Sequence, residues 1–206
     1  MAKVAIVYYS LTGHTFRVAQ AVEEGARAAG AETRVRKVHE ILPSEALSGN
    51  DAWKRYAEAS AQVPEASLDD LDWADGIVLG APTRYGAMAG QMKLFLDSTG
   101  PLWGQGKLAN KAAAAFTGAQ NPHGGQESTL LTIYNVMYHW GAVITAPGYT
   151  DPSVFAAGGN PYGVSFTASR DGIPSPEVLA AARYMGGRVA RFAAVLADNR
   201  ARLNPS

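Results

Sequence analysis

Residues 10–15, SLTGHT, combine three hydroxyl side chains with a glycine, between an apolar run and a helix-like segment. Ser10, Thr12 and Thr15 can donate hydrogen bonds, and Gly13 lets the backbone close on a small group. Backbone N–H groups at a helix start carry partial positive charge, so an anion can bind there without lysine or arginine. The loop lacks the patterns of triphosphate and dinucleotide sites, GxxxxGK[ST] and GxGxxG. It therefore predicts a site for a terminal phosphate monoester, and an ordinary capped helix start is the alternative.

Two further loops carry side chains that suit a flat heteroaromatic ligand. After the apolar run GIVLG, Pro82 stiffens a turn. Thr83, Arg84 and Tyr85 then present a hydroxyl, a cation and an aromatic plane. The glycine-rich stretch TGAQNPHGGQE follows the run AAAAF, and Thr117 and Gln126 offer further hydrogen-bond donors there. Taken singly, each loop could be an ordinary turn or a flexible connection, but together they predict one pocket for the phosphate and planar ring of flavin mononucleotide (FMN).

Five predicted strands must position these loops. They span residues 4–9, 33–38, 76–80, 112–117 and 142–146, and predicted helices span residues 15–29, 90–98, 127–140 and 176–198. Three of the strands are continuous apolar runs, which is typical of strands buried on both faces of a parallel sheet. The alternation of strands and helices predicts an α/β fold with a doubly wound parallel sheet, whose ligands bind at the carboxyl ends of the strands.

Two segments do not fit this minimal plan. Residues 40–72 are rich in Ala, Ser and Glu and predict a helical excursion. Residues 147–174 are rich in Gly, Pro and aromatic residues, and such a long loop is expected at a subunit interface. We expect residues 1–206 to form a single domain.

Composition excludes several classes of function. Lys and Arg number 18, as do Asp and Glu, so the formal net charge is zero and nucleic acid is a poor partner. The chain has no cysteine, which excludes disulfides and thiolate catalysis, and no spacing predicts a metal site. The apolar run near the N-terminus is too short to span a bilayer, so we expect a cytoplasmic protein without a membrane span. Asp69, Asp70 and Asp72 are expected to lie in solvent.

Longer motifs extend the pattern to a known family. YYSLTGHT resembles the phosphate-binding loop of flavodoxins, and GAPTRYGAMAGQMKLFLDSTGPLW resembles the WrbA family of FMN-dependent NAD(P)H:quinone oxidoreductases. HGGQE, NPYG at residues 160–163 and ARYMGGRVA near the C-terminus extend the resemblance to nearly the whole chain. It implies a flavodoxin-like fold, in which a five-stranded parallel sheet of order 2-1-3-4-5 has helices on both faces. It also implies FMN as cofactor, NAD(P)H as electron donor and a quinone as acceptor.

The resemblance implies a role for each matching residue. FMN contacts would come from three sets: Ser10, Leu11, Thr12, Gly13, His14 and Thr15; Pro82, Thr83, Arg84, Tyr85 and Gly86; and Thr117, Gly118, Ala119, Gln120, His123, Gly124 and Gly125. His139, the one side chain given a catalytic role, would approach the flavin from a neighbouring subunit of a homotetramer. Thr12 and Trp103 would contact the substrate.

The expected reaction is a ping-pong cycle at one shared site. NAD(P)H would pass a hydride to N5 of FMN and leave, and a quinone would then take its place. The dinucleotide-binding pattern GxGxxG is missing, so no separate dinucleotide domain is indicated, and this favours one shared site. The first two loops hold no Asp or Glu up to residue 89, which favours adding two electrons together. A one-electron carrier of the flavodoxin type and a regulatory binding protein of the same fold are the alternatives.

Overall fold

Parallel strands bring the three loops to one edge of a sheet. The structure is a computed structural model that describes residues 1–168 and 173–203. Its strands are β1 (Lys3–Tyr8), β2 (Glu32–Lys37), β3 (Gly76–Arg84), β4 (Ala87–Met88), β5 (Ala112–Ala119), β6 (Val143–Ile144) and β7 (Val164–Thr167). The order β2-β1-β3-β5-β6 is parallel throughout and confirms the predicted order of the five main strands.

The fifth position of the sheet is divided between two short strands. β6 pairs with the start of β5, and β7 pairs with the end of β5. The predicted strand at residues 142–146 is thus reduced to two residues, and the predicted loop 147–174 contains both a helix and β7. Residues 169–172 of that loop lie outside the described residues. Together β6 and β7 cover one edge of β5 while the chain between them runs over the surface.

Helices cover both faces of the sheet. They are α1 (His14–Ala28), α2 (Ser44–Leu47), α3 (Asp51–Ala59), α4 (Leu68–Trp73), α5 (Gly90–Asp97), α6 (Gly100–Gly104), α7 (Gln126–Trp140), α8 (Pro152–Ala156), α9 (Pro176–Asp198) and α10 (Arg200–Leu203). One core packs α1 and α9 against the sheet, and a second packs α4, α5 and α7 against the opposite face. None of the helices within the described ranges is both long and apolar enough to cross a membrane.

The helices α1 and α9 cross at very short range because glycines face each other. A Cβ atom at Gly25 would lie 1.8 Å from the carbonyl oxygen of Arg183, and one at Gly186 would lie 2.0 Å from that of Val22. No side chain fits in either place. The close crossing lets the long helix α9 pack directly over the sheet beside α1.

Residues 40–72 contain α2, α3 and most of α4. The prediction that Asp70 lies in solvent is wrong, because this carboxylate is only 3% exposed. It accepts hydrogen bonds from Ser67 at the start of α4, and from Arg34 and Arg36 on the edge strand β2. The Asp70 carboxylate stays charged at this depth because both of its oxygens accept hydrogen bonds.

Candidate active site

A cleft of about 120 Å³ opens where β1, β3 and β5 end. Residues from all three predicted loops line it: Ser10, Leu11, Thr12, His14 and Thr15 after β1, Pro82, Thr83 and Arg84 at the end of β3, and Gly118, Ala119 and Gln120 at the end of β5. The sheet order places β3 between β1 and β5, so the three loops meet. The structure thus brings most of the predicted cofactor residues to one cleft.

The first loop leaves the start of α1 available to an anion. Gly13 is the N-cap residue, with φ at 95°, and no side chain in the described part of the protein caps the helix. The hydroxyl of Ser10 instead accepts a hydrogen bond from the Gly13 N–H at 3.0 Å, and that of Thr12 pairs with Nδ1 of His14 at 3.2 Å. The alternative, a helix start capped by a Ser or Thr side chain, therefore does not form. The remaining N–H groups of the first turn suit a phosphate.

The second loop turns sharply so that Thr83 and Arg84 face the cleft. The hydroxyl of Thr83 accepts hydrogen bonds from the Thr129 hydroxyl at 2.7 Å and from the Gly86 N–H at 3.2 Å. Tyr85 has a positive φ of 53°, and its side chain is fully exposed. Tyr85 and Gly86 do not line the cleft.

The third loop contributes backbone and small residues more than polar side chains. Thr117 is fully buried, and its hydroxyl donates to the Ala81 carbonyl at 2.7 Å across the sheet. Gln126 likewise donates to a carbonyl within its own loop, that of Asn121 at 2.9 Å. His123 is exposed and does not line the cleft. Neither of the hydrogen-bond donors predicted for this loop, Thr117 and Gln126, therefore points its side chain at the ligand position.

Two lining residues, Phe166 and Ala168, come from a segment that sequence patterns assigned to a loop. The ring of Phe166 stacks near that of His14, with 6.2 Å between centroids and 19° between planes. It also covers Gly118, where a Cβ atom would lie 2.2 Å from the ring. The sequence signal of this strand is the alternation of apolar and polar residues in VSFT, at Val164–Thr167, and four residues are too few for it to be decisive.

A hydrogen-bonded group of three side chains supports the end of β1. The Tyr9 hydroxyl donates to Glu40 at 2.7 Å, and the Gln91 amide donates to both of them at 2.9 Å. Burial raises the pKa of Tyr9, and its bond to Glu40 adds to the rise. Burial alone would raise the pKa of Glu40, but the bonds from Tyr9 and Gln91 outweigh it and hold that pKa below its usual value. Glu40 thereby ties the segment after β2 to the base of the first loop.

His139 and Trp103 lie together but far from the cleft. The indole N–H of Trp103 donates to the His139 carbonyl at 2.8 Å, at the C-terminal end of α7. The N-terminal end of α7, at Gln126, adjoins the cleft loops, and thirteen residues of helix span about 20 Å. Neither residue lines the cleft of its own chain.

No group of three or more His, Asp or Glu side chains in the described ranges could hold a metal ion.

The family model for NADPH-dependent FMN reductases matches residues 2–151. The chain belongs to this family. A protein of Deinococcus radiodurans named NAD(P)H dehydrogenase (quinone) is 54% identical over 167 residues, which are 81% of this chain and 84% of that protein. One of Geotalea uraniireducens with the same name is 45% identical over 202 residues, 95% of this chain and 99% of its own length.

The fold comparison agrees with these relatives. A flavodoxin, WrbA-like protein from Agrobacterium tumefaciens superposes with a TM-score of 0.68 at 25% identity, covering 95% of this chain and 99% of that one. The flavodoxin-like fold expected from the sequence is therefore confirmed, as is the resemblance to the quinone-reducing members of the family.

Proposed function

We propose that this protein is an FMN-dependent oxidoreductase that reduces quinones with electron pairs from NAD(P)H. The observation that carries the proposal is the junction of three strand-end loops in one cleft beside an uncapped helix start. That arrangement offers an anion site beside a cleft at the place where open α/β sheets bind ligands. The names of the relatives, at 45% and 54% identity, support the same activity.

The residues present fit FMN. The loop at residues 10–15 would hold the phosphate through backbone N–H groups and the hydroxyls of Thr12 and Thr15. The segment Pro82 to Arg84 and the backbone of residues 118–120 would hold the ring edge. When bound, FMN supplies the hydride-accepting and hydride-donating chemistry.

The charge around the cleft favours transfer of electrons in pairs. Arg84 lines the cleft, and none of the cleft-lining residues in the described ranges is Asp or Glu. A guanidinium at that position stabilises negative charge that develops on a bound ring. Phe166 lines the same cleft beside His14 and adds an apolar ring near the first loop.

A flavin titration tests this function. Purified protein loaded with FMN is reduced with NADH or NADPH without oxygen, and benzoquinone is then added. We expect the flavin absorbance to bleach and recover, and steady turnover to follow when both substrates are in excess. A one-electron carrier would bleach slowly and turn over almost nothing, and a regulatory binding protein would bind FMN weakly or not at all. Either result would refute the proposed activity.

The active protein is proposed to be a homotetramer. Large apolar side chains are exposed around α5, α6 and α7: Tyr85, Leu94, Trp103, Leu131 and Tyr138. Exposed aromatic residues clustered in this way are typical of subunit contacts. The position of His139, at the far end of α7 from the cleft of its own chain, supports the same assembly, in which a neighbour would supply this histidine. The cytoplasmic location stays a prediction.

A further inference from the structure

A second cleft lies on the other side of the phosphate loop. Its volume is about 240 Å³, twice that of the first cleft, and Thr12 and His14 line both. The loop at residues 10–15 is therefore a shared wall, with the proposed flavin site on one side. The two clefts are therefore neighbours.

Two arginines line the second cleft from different helices. Arg17 lies in the first turns of α1, and Arg55 lies on α3. Both side chains are exposed, and neither guanidinium makes a hydrogen bond or an ion pair with any residue of the described ranges. Other exposed arginines of this neutral chain do have a carboxylate partner, as in Arg27 with Glu23 and Arg183 with Glu24. Two unpaired guanidinium groups facing one cleft are suited to an anion with several oxygens.

The packing of its neighbour Tyr56 holds Arg55 beside the loop at residues 10–15. The next residue, Tyr56, lies against the phosphate loop, where a Cβ atom at Gly13 would be 3.6 Å from the Tyr56 Cβ. Its ring contacts Phe16 edge-on at 5.9 Å, and its hydroxyl donates to the Tyr8 hydroxyl at 3.4 Å. The segment at residues 40–72 is not part of the minimal alternation of strands and helices. It positions the cation of Arg55 next to the loop at residues 10–15.

We propose that Arg17 and Arg55 bind the 2′-phosphate of NADPH and make this enzyme prefer NADPH to NADH. The inference rests on the proposed function, since it assumes that the nicotinamide lies on the flavin in the first cleft. The 2′-phosphate is the only group that distinguishes the two dinucleotides, and arginine is the usual partner for it. Its three oxygens accept bidentate hydrogen bonds from guanidinium groups, whereas the 2′-hydroxyl of NADH offers no charge to either arginine.

The test compares the two donors in wild type and in the double variant R17Q/R55Q. We expect the ratio of kcat/KM for NADPH to that for NADH to exceed one in wild type and to fall about tenfold or more in the variant, from the loss of charge-assisted hydrogen bonds. K54Q is the control for loss of a positive charge on α3, because Lys54 lies on the same helix as Arg55 but outside the cleft. It should leave the ratio unchanged.

A binding measurement separates this inference from the activity itself. Calorimetry of the FMN-loaded protein with adenosine 2′,5′-bisphosphate and with adenosine 5′-diphosphate needs no turnover. We expect the 2′-phosphate compound to bind more tightly to wild type and K54Q, and this advantage to vanish in R17Q/R55Q. If NADH and NADPH turn over equally well in all three proteins, the inference is wrong while the function stands. If the variant loses FMN affinity and keeps its donor ratio, the arginines serve the flavin phosphate, and the inference is again refuted.

Discussion

The carboxylate of Asp70 joins the start of α4 to the edge strand β2. It accepts hydrogen bonds from the Ser67 N–H at 3.1 Å and from Arg36 at 2.9 Å, with Arg34 at 3.2 Å. Burial alone would raise its pKa, but the bonds from Ser67 and the nearby Arg36 outweigh it and keep the pKa below the usual value. One side chain thus secures both a helix cap and the end of the sheet.

Asp70→Asn should lower the free energy of unfolding by about 1–3 kcal/mol near pH 7, because it removes the charge that two arginines face. Urea unfolding measures the change, and Asp69→Asn on the same helix is the exposed control. The pKa of Asp70 is lower in the folded state, so its contribution is present above the unfolded pKa of about 3.9 and is lost as pH falls through the folded value. The difference between wild type and Asp70→Asn should therefore shrink below about pH 4. A difference that does not depend on pH would contradict the role of the charge.

At the scale of elements, the crossing of α1 and α9 depends on the absence of side chains. Gly25→Ala would put a methyl group 1.8 Å from a backbone carbonyl of α9, which cannot move alone. We expect a loss of about 1–3 kcal/mol as the helices separate. Gly90→Ala, at the first position of α5 with nothing within 4 Å, is the helical control and should be neutral or slightly stabilising. Equal stability of the two variants by thermal unfolding would show that the crossing adjusts freely.

The elements differ in how far their sequences predict them. The predicted helix at 176–198 matches α9 in full, since Ser175 caps it and Pro176 occupies its first position. β7 is not predicted because its four residues carry too short a pattern to distinguish a strand from a loop. Asp70 and Thr117 were misjudged for a different reason. Their partners, Arg36 and Ala81, are 34 and 36 residues away, and no local pattern records such contacts.

At the scale of the whole molecule, the proposed assembly predicts complementation between subunits. His139→Ala should keep its FMN but lose activity, about tenfold, if this histidine acts on a neighbour's flavin. Gly13→Val should fail to bind FMN, since φ at residue 13 is 95° and a branched side chain is strained there. Tetramers assembled from both variants contain intact flavins beside intact histidines.

We therefore expect mixed tetramers, refolded together and separated by differential tags, to recover part of the wild-type turnover. There are two controls: each variant alone, and a mixture of the two variants made after each has assembled separately. Sedimentation establishes the mass of each species. Recovery of nothing in true mixed tetramers would mean that His139 serves only its own chain or has no part in turnover.

The divided edge strand has a consequence for motion. β7 is four residues long and pairs with β5 alone, yet it carries Phe166, a wall of the cleft. Transient opening of β7 would dismantle the site while leaving the rest of the sheet intact, and such local openings govern amide hydrogen exchange. FMN binds only the closed state, so at a hundred times its Kd it should slow exchange at residues 164–167 about a hundredfold. Mass spectrometry should find far less slowing in β2 at the opposite edge, and equal slowing there would show that the cofactor protects the fold as a whole. Slowing confined to residues 164–167 would mean that bound FMN keeps β7 paired with β5 and so holds this edge of the site in place.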